Sequence, residues 1–227
     1  MTRGVFVTGT DTGVGKTLAA CALVHALRAR GLRVAPMKPV AAGAALHDGA
    51  WTNEDTLALA QAAGDGAPSL DAITPLLLRE AVAPHIAAAR EGRSIDLAPL
   101  VEAHRRLASQ WDFTVVEGVG GFHVPLGPAL DARDLARALG LPVVLVVGLR
   151  LGCLNHALLT AESVERAGLR LAGWIANAID PAMAVPEENV AALAGRLRAP
   201  LLGRIPFSPG ADAAKIGGIL DAAPLVA

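Results

Sequence analysis

The sequence predicts a single α/β domain spanning residues 1–227, with a mostly parallel central sheet flanked by helices. Three observations predict it. Apolar runs alternate with amphipathic helical stretches along the whole chain, as repeated strand–helix–strand units require. The run Val143-Val144-Leu145-Val146-Val147 is continuously apolar, the mark of a parallel strand covered on both faces. The first apolar run, Val5-Phe6-Val7, meets a Gly/Thr-rich turn that opens straight into a helical stretch from Lys16. No repeat or linker divides the chain, because the turn-rich stretch Ala63 to Ala72 is too short to separate domains.

The elements follow in order. Helix Lys16 to Arg30 stops at Gly31, a standard C-terminal signal, and Arg33 to Met37 is the second strand. Ala41 to Thr52, rich in alanine and glycine, reads as a loop. Asn53 caps the next helix, with Glu54 and Asp55 against its positive end. Leu76 to Leu78 is a short strand, Pro84-His85-Ile86 starts a helical piece, and Asp96 caps a helix to about Ser109. Phe113 to Val116 is a buried strand leading into Glu117-Gly118-Val119-Gly120-Gly121. Asp131, with Asp134 three residues on, forms a weak capping box. Strand Val143 to Val147 turns through Gly148 to Cys153 into helix Leu154 to Ala167. Strand Leu171 to Asn177, helix Glu187 to Leu197, strand Leu201 to Ile205 and helix Ala213 to Leu220 complete the chain.

Composition narrows the function. With 53% hydrophobic residues the chain can fill a large core, and a net charge of -1 gives no basic field for nucleic acid or an anionic membrane. The two cysteines, Cys21 and Cys153, sit in apolar helical contexts and suit a reducing compartment. Thr8 and Gly9 interrupt the N-terminal strand before a signal-like region forms. The run Leu139 to Leu149 is broken by Pro142 and Gly148 and falls far short of the ~20 residues a spanning helix needs. The expectation is a cytoplasmic protein with no membrane contact.

The strand, glycine turn and helix N-terminus make a phosphate cradle, with backbone N–H groups and the helix dipole facing an anion. Lys16 would reach the terminal phosphates and the Thr17 hydroxyl would hold Mg²⁺, as in a P-loop nucleotide-binding fold. The pattern G-x-x-x-x-G-K-[ST] is shifted, because Thr10 stands at its first position and Gly9 lies one residue earlier. Asp11 and Thr12 sit inside the loop and face whatever accepts the phosphate.

In parallel sheets ligands sit at the carboxyl ends of the strands. Lys38, Glu117, Asn177 and Pro206-Phe207-Ser208 all fall there. Glu117 is placed to bind Mg²⁺. Asp55 could be a second metal ligand or simply a helix N-terminal charge. The chain has only three lysines, Lys16, Lys38 and Lys215, although it uses arginine freely. Two of them stand in glycine- or proline-rich turns, where a compact ammonium does what a planar guanidinium cannot. The six histidines form no metal-spaced cluster; His85 suits a structural hydrogen bond, and Trp51, Trp111 and Trp174 read as packing.

Taken together these residues resemble the dethiobiotin synthetase family. The matching stretches are Phe6 to Thr12 with Val14 to Thr17, Lys38-Pro39-Val40-Ala41, Val115 to Gly118 with Gly120-Gly121, and Pro142-Val143 with Leu145 to Gly148. Leu151-Gly152-Cys153, Asn155-His156-Ala157, Ala172-Gly173-Trp174 and Ala199 to Gly203 match too, and the family's loop carries the same displaced glycine. The resemblance implies an ATP- and Mg²⁺-dependent cyclo-ligase acting on 7,8-diaminononanoate (7,8-diaminopelargonate) and CO₂ or bicarbonate. The products would be dethiobiotin, ADP and phosphate, formed through a carbamate and a carbamic-phosphoric mixed anhydride.

It further implies that Lys16 and Lys38 are catalytic and that Thr17, Asp55 and Glu117 hold the metal. ATP would be bound by Asp11, Thr12, Gly13, Val14, Gly15, Lys16 and Thr17, with Asp55, Glu117, Gly118, Val119 and Gly120. Asn177, Ala178, Pro206, Phe207, Ser208 and Asp212 would take the adenosine. The substrate would meet Thr12, Lys38 and Ala42, and Leu151, Gly152, Cys153 and Asn155 of a partner in a homodimer.

Two departures stand out. Ala42 replaces the family serine, and no tyrosine exists to supply the one relatives present from the partner subunit, with Asn189 near its expected place. Two alternatives share the phosphate loop. A switch ATPase of the partition or division-site type would carry an early second lysine, where this chain has Thr10, Asp11 and Thr12, and often a basic tail, which Ile219 to Ala227 lacks. The synthetase domain of a cobyrinate amidase would need a glutaminase that 227 residues cannot include.

Overall fold

The computed structural model describes residues 3–47 and 49–226. In chain order the elements are β1 (Gly4–Gly9), α1 (Lys16–Arg28), β2 (Val34–Met37), β3 (Val40–Ala42), β4 (Ala45–His47), β5 (Ala50–Thr52), α2 (Glu54–Ala63) and α3 (Leu70–Ile73). There follow β6 (Leu76–Leu78), α4 (Pro84–Arg90), α5 (Leu97–Gln110), β7 (Phe113–Gly121), β8 (Pro125–Gly127), β9 (Leu130–Asp131) and α6 (Ala132–Leu139). The last are β10 (Val143–Leu149), α7 (Cys153–Arg166), β11 (Leu171–Ala178), α8 (Pro186–Ala194), β12 (Leu201–Ile205), α9 (Ala213–Gly217) and α10 (Ala223–Val226).

Six strands form the central sheet in the order β12-β11-β10-β1-β7-β2, and every neighbouring pair is parallel. All seven residues of β10 are buried, as its unbroken apolar run requires. On one face Leu23, Val24 and Leu27 of α1 pack onto Val5, Val7 and Val144, with Ile216 of α9 beyond them. On the other, Leu100 and Leu107 of α5 and Leu135 of α6 cover Phe6, Val116 and Val143. A third cluster joins Ala157 of α7 and Leu193 of α8 to Trp174 and Leu145. Two helical layers thus enclose the sheet and leave its carboxyl edge to the loops.

The structure departs from the sequence reading at several elements. The segment 41–52 is not a plain loop: β3 pairs with β6 in parallel, and β4 and β5 form an antiparallel hairpin. Gly49, with φ 82 just before β5, is a turn signal the alanine-rich composition hides. Ser69 caps the short α3 inside the turn-rich stretch by accepting from Ala72 N. β7 continues to Gly121, so Glu117 lies within the strand, opposite Val7, rather than after it. Trp174 is fully buried, whereas Trp51 is 52% exposed and carries the Arg79 guanidinium 5.3 Å over its ring. Trp51 is therefore a surface cation–π partner, not core packing. Among the described residues no helix is long and apolar enough to cross a membrane.

Candidate active site

The phosphate loop is fixed by steric fit to its own strand. A Cβ on Gly9 would meet Val14 Cγ2 at 2.6 Å and Lys16 Cγ at 3.1 Å, so the loop folds back onto a position where only glycine fits. Gly15 has φ 83 as the N-cap of α1, and a Cβ there would stand 2.2 Å from Asn177 Nδ2. Asn177 is 5% exposed and donates through that Nδ2 to Val14 O at 2.8 Å. It holds the loop from beneath, a task the sequence did not reveal.

Lys16 is 7% exposed and donates to Asp11 O at 3.0 Å, folded back along the loop. Burial pushes its ammonium below the usual lysine value; nearby Lys38 adds to that, while Glu117 and Asp55 oppose it. The Asp11 carboxylate accepts from Thr12 N at 2.7 Å and from Arg150 Nη2 at 2.5 Å. These contacts, the backbone one first, lower its pKa against the effect of burial. Arg150, in the turn between β10 and α7, was missed because nothing local distinguishes it from a surface arginine.

The centre of the site joins two neighbouring strands, β2 and β7, and the starts of two helices, α1 and α2. Lys38, 4% exposed just past β2, donates to Asp55 Oδ2 at 2.7 Å and Glu117 Oε1 at 2.6 Å. Thr17 Oγ1 stands 2.7 Å from Asp55 Oδ1 and 2.9 Å from the same Glu117 Oε1. With one proton, the Thr17 hydroxyl donates to one carboxylate at a time. Burial pushes Glu117 above the ordinary carboxylate value, and Lys38 recovers only part of that shift. Asp55 is also raised by burial, but the Lys38 charge and hydrogen bond outweigh it and hold the group low. Burial lowers the Lys38 ammonium; its two carboxylates together more than reverse this.

Glu117 Oε2 is buried without a hydrogen-bond partner. An orphaned carboxylate oxygen beside a hydroxyl and a second carboxylate fits a hard cation that prefers oxygen donors. No group of three or more His, Cys, Asp or Glu side chains placed for a metal occurs among the described residues. Two carboxylates and a hydroxyl match the sparse protein ligation of Mg²⁺, which leaves room for phosphate oxygens and water.

Around this centre the other expected residues divide. Gly118, Val119 and Gly120 lie in the last part of β7, before its end at Gly121, and a Cβ on Gly120 would lie 3.5 Å from Thr12 Oγ1, so this part of the strand adjoins the loop. Ala178 ends β11. Pro206, Phe207 and Ser208 are exposed beyond β12. Asp212 caps α9, accepting from Ala214 N at 2.9 Å, and lines a cavity of about 580 Å³ that also reaches Thr17 and Leu18. Ala42 O accepts from Asn53 Nδ2 at 3.3 Å, so its carbonyl is engaged within the fold.

At the start of α7, Leu151 is 95% exposed, and Gly152 and Asn155 are exposed. Cys153 is 1% exposed with its N–H on Arg150 O at 3.0 Å, so its thiol is turned into the core and its N–H is engaged within the turn. Asn189 donates to Val185 O within α8's first turn. His85 Nδ1 pairs with Pro125 O at 3.2 Å, the structural bond expected of it.

The family described as an AAA domain matches residues 3–215. The ATP-dependent dethiobiotin synthetase BioD of Aromatoleum aromaticum is 55% identical over 218 residues, 96% of this chain and 96% of that protein. The chain belongs to the dethiobiotin synthetase family. Solved structures place this family member in the P-loop fold. The septum site-determining protein MinD of Pyrococcus horikoshii, complexed with Mg-ADP, superposes with TM-score 0.58 and 23% identity, covering 99% of this chain and 89% of that one. MinD of Pyrococcus furiosus gives 0.59 and 21%, with 98% and 90% coverage. A ParA family ATPase of Chlorobium tepidum gives 0.56 and 17%, with 95% and 89% coverage. At such identities these likenesses speak for the fold alone, and the switch-ATPase alternative has no other support. Thr17, Lys38, Asp55 and Glu117 form one mutually bonded cluster beside the phosphate loop.

Proposed function

We infer that this protein is an ATP-dependent dethiobiotin synthetase, converting 7,8-diaminononanoate and CO₂ to dethiobiotin with release of ADP and phosphate. The observation that carries the reading is 55% identity to an enzyme of that name over 96% of both chains. The buried, mutually bonded Lys38, Asp55, Glu117 and Thr17 support it as a phosphoryl-transfer centre.

The chemistry proceeds in three steps. One substrate amine attacks the carbon of CO₂ and loses a proton, leaving a carbamate. A carbamate oxygen then attacks the γ-phosphorus of ATP, the bond to the β,γ-bridging oxygen breaks, and ADP departs. The second amine attacks the carbonyl of the resulting mixed anhydride; phosphate leaves with the former carbamate oxygen, a proton is lost, and the ureido ring closes. Transfer between two anions needs close positive charge that can follow the moving phosphoryl group. Lys16 would leave Asp11 O for the γ-phosphate and carbamate, and Lys38 would neutralise charge on the transferring group.

Thr17, Asp55 and Glu117 would hold Mg²⁺, whose charge offsets the repulsion between phosphates. Asn177, with its Nδ2 on the loop, keeps its Oδ1 for the adenine amino group. Pro206 to Ser208 and Asp212 would border the nucleoside, and Gly118 to Gly120 would border the loop on its other side. Thr12 would face the diamine, and at Ala42, whose carbonyl is engaged by Asn53, any contact would run through water. The chain would work in the cytoplasm as one domain and as a homodimer. The exposed Leu151-Gly152 turn and Asn155 at the head of α7 would offer the partner's substrate a carboxylate site.

The test is turnover of purified protein with ATP and Mg²⁺. ADP release that requires both 7,8-diaminononanoate and bicarbonate, with dethiobiotin detected by mass spectrometry, is expected. Hydrolysis indifferent to the diamine would overturn the reading.

A further inference from the structure

A second set of polar side chains gathers where the turn after β7, the start of α6 and the last turns of α7 meet. His123 Nδ1 lies 3.1 Å from Asp131 Oδ2, and His123 Nε2 lies 2.5 Å from Ser163 Oγ. The cavity beside them, about 370 Å³, is lined by His123 and Ser163 together with Arg133, Arg137 and Arg166. No residue of the phosphate-loop site takes part.

The order Asp–His–Ser resembles a nucleophilic triad, but the surroundings argue against acyl transfer. Ser163 is inside helix α7, where backbone N–H groups are consumed by the helix, so no backbone oxyanion hole adjoins its hydroxyl. The cavity instead offers N–H donors: three guanidinium groups line it, Arg133 and Arg166 beside neighbouring carboxylates and Arg137 without one among the described residues. Glu162 is engaged by Arg166 at 2.6 Å. Arg137 has no ion-pair partner among the described residues. Arg133 stands 3.5 Å and 3.7 Å from Asp131 and Asp134, and its buried Nε makes no hydrogen bond. Asp131 is otherwise occupied, accepting from Asp134 N at 3.1 Å as the cap of α6. Donors outnumber acceptors, and they approach from two helices and a turn.

We propose that this cavity is a second anion site, separate from the phosphate loop, that binds phosphate, either free or as the monoester of a small molecule. Guanidinium groups from Arg133 and Arg137 on α6 and Arg166 on α7 suit a tetrahedral anion with several oxygens better than a planar carboxylate, which one fork satisfies. Ser163 Oγ and the His123 ring close the rim, the ring held between Asp131 on its Nδ1 and Ser163 on its Nε2.

The test uses the full chain with its phosphate loop filled by Mg²⁺ and a non-hydrolysable ATP analogue. Inorganic phosphate, glycerol phosphate and acetate are titrated in turn at matched ionic strength by calorimetry. Phosphate is expected to bind once per chain, and acetate at least ~10-fold more weakly. The surface double variant Arg137→Ala/Arg166→Ala should weaken phosphate by ~10-fold or more, and Ser163→Ala by less. Glycerol phosphate binding as well as free phosphate identifies a phosphate-bearing small molecule as the class; free phosphate alone identifies the inorganic ion. No uptake with the loop filled, an unchanged affinity in the double variant, or acetate binding equally well would overturn the site.

Discussion

Lys38 shows at the scale of one residue why ammonium and guanidinium are not interchangeable. Its nitrogen sits 2.7 Å from Asp55 and 2.6 Å from Glu117 in a space where it is 4% exposed. A planar fork would have to displace one carboxylate, and in the role proposed for Lys38 it could not follow a moving phosphoryl group. Lys38→Arg and Lys16→Arg are each expected to lower kcat by more than ~100-fold with the melting temperature little changed; near-full turnover in either would remove the charge-shape argument. Glu117 supplies a second prediction. Burial raises its pKa, so on acidification it takes up a proton sooner than an ordinary carboxylate, whereas Asp55 stays ionised to lower pH. Hence kcat/KM should fall on the acid side with a midpoint above 4.5, the unperturbed value. Glu117→Gln should abolish that limb and raise the Mg²⁺ concentration for half-maximal rate. The same limb and the same magnesium titration in the variant would exclude Glu117. In stability the two signs differ: the depressed Asp55 stabilises the fold above its unfolded value of 3.8 and loses that contribution as pH falls further. The raised Glu117 costs stability while ionised and is relieved as pH falls through its folded value.

At the scale of elements, the phosphate loop depends on β11 as much as on β1 and α1. Gly15 needs a left-handed backbone, and its α-carbon faces Asn177 Nδ2 so closely that a methyl group would stand 2.2 Å away. Gly15→Ala therefore meets backbone strain of about 1–3 kcal/mol and a collision with the side chain that supports Val14 O. ATP affinity should drop by ~10-fold or more, measured by calorimetry, while the sheet and its circular dichroism persist. Unaltered ATP binding would mean that the loop tolerates both changes. The β4–β5 hairpin is the opposite case, an element of neighbouring strands paired with each other and exposed at Leu46 and Trp51.

For the whole molecule the question is assembly. α7 begins in an exposed apolar turn, with Leu151 95% exposed, on the carboxyl edge that carries the phosphate loop. A homodimer with composite sites makes a specific forecast. Lys16→Ala chains and chains carrying a bulky side chain in place of Gly152 should each be inactive alone. Mixed and allowed to exchange, they should regain activity, because one composite site in each mixed dimer is intact. No recovery in a mixture shown to exchange would confine the substrate's carboxylate site to one chain.

The sequence by itself determined the parallel α/β sheet, the phosphate loop and the identity of the residues at the strand ends. These follow from apolar periodicity, glycine placement and residue chemistry, all of which act over a few neighbours in the chain. It did not determine the hairpin hidden in an alanine-rich stretch, nor that Glu117 lies within β7. The structure alone brought Asp55 and Glu117 onto one ammonium, turned Asn177 under the loop and set Arg150 on Asp11. It likewise buried the Cys153 side chain that the motif presented as a contact. Each of those pairings joins residues far apart in the chain, from 17 for Lys38 with Asp55 to 163 for Asn177 with Val14. Their geometry is set by how the sheet orders its strands, which local propensity does not encode.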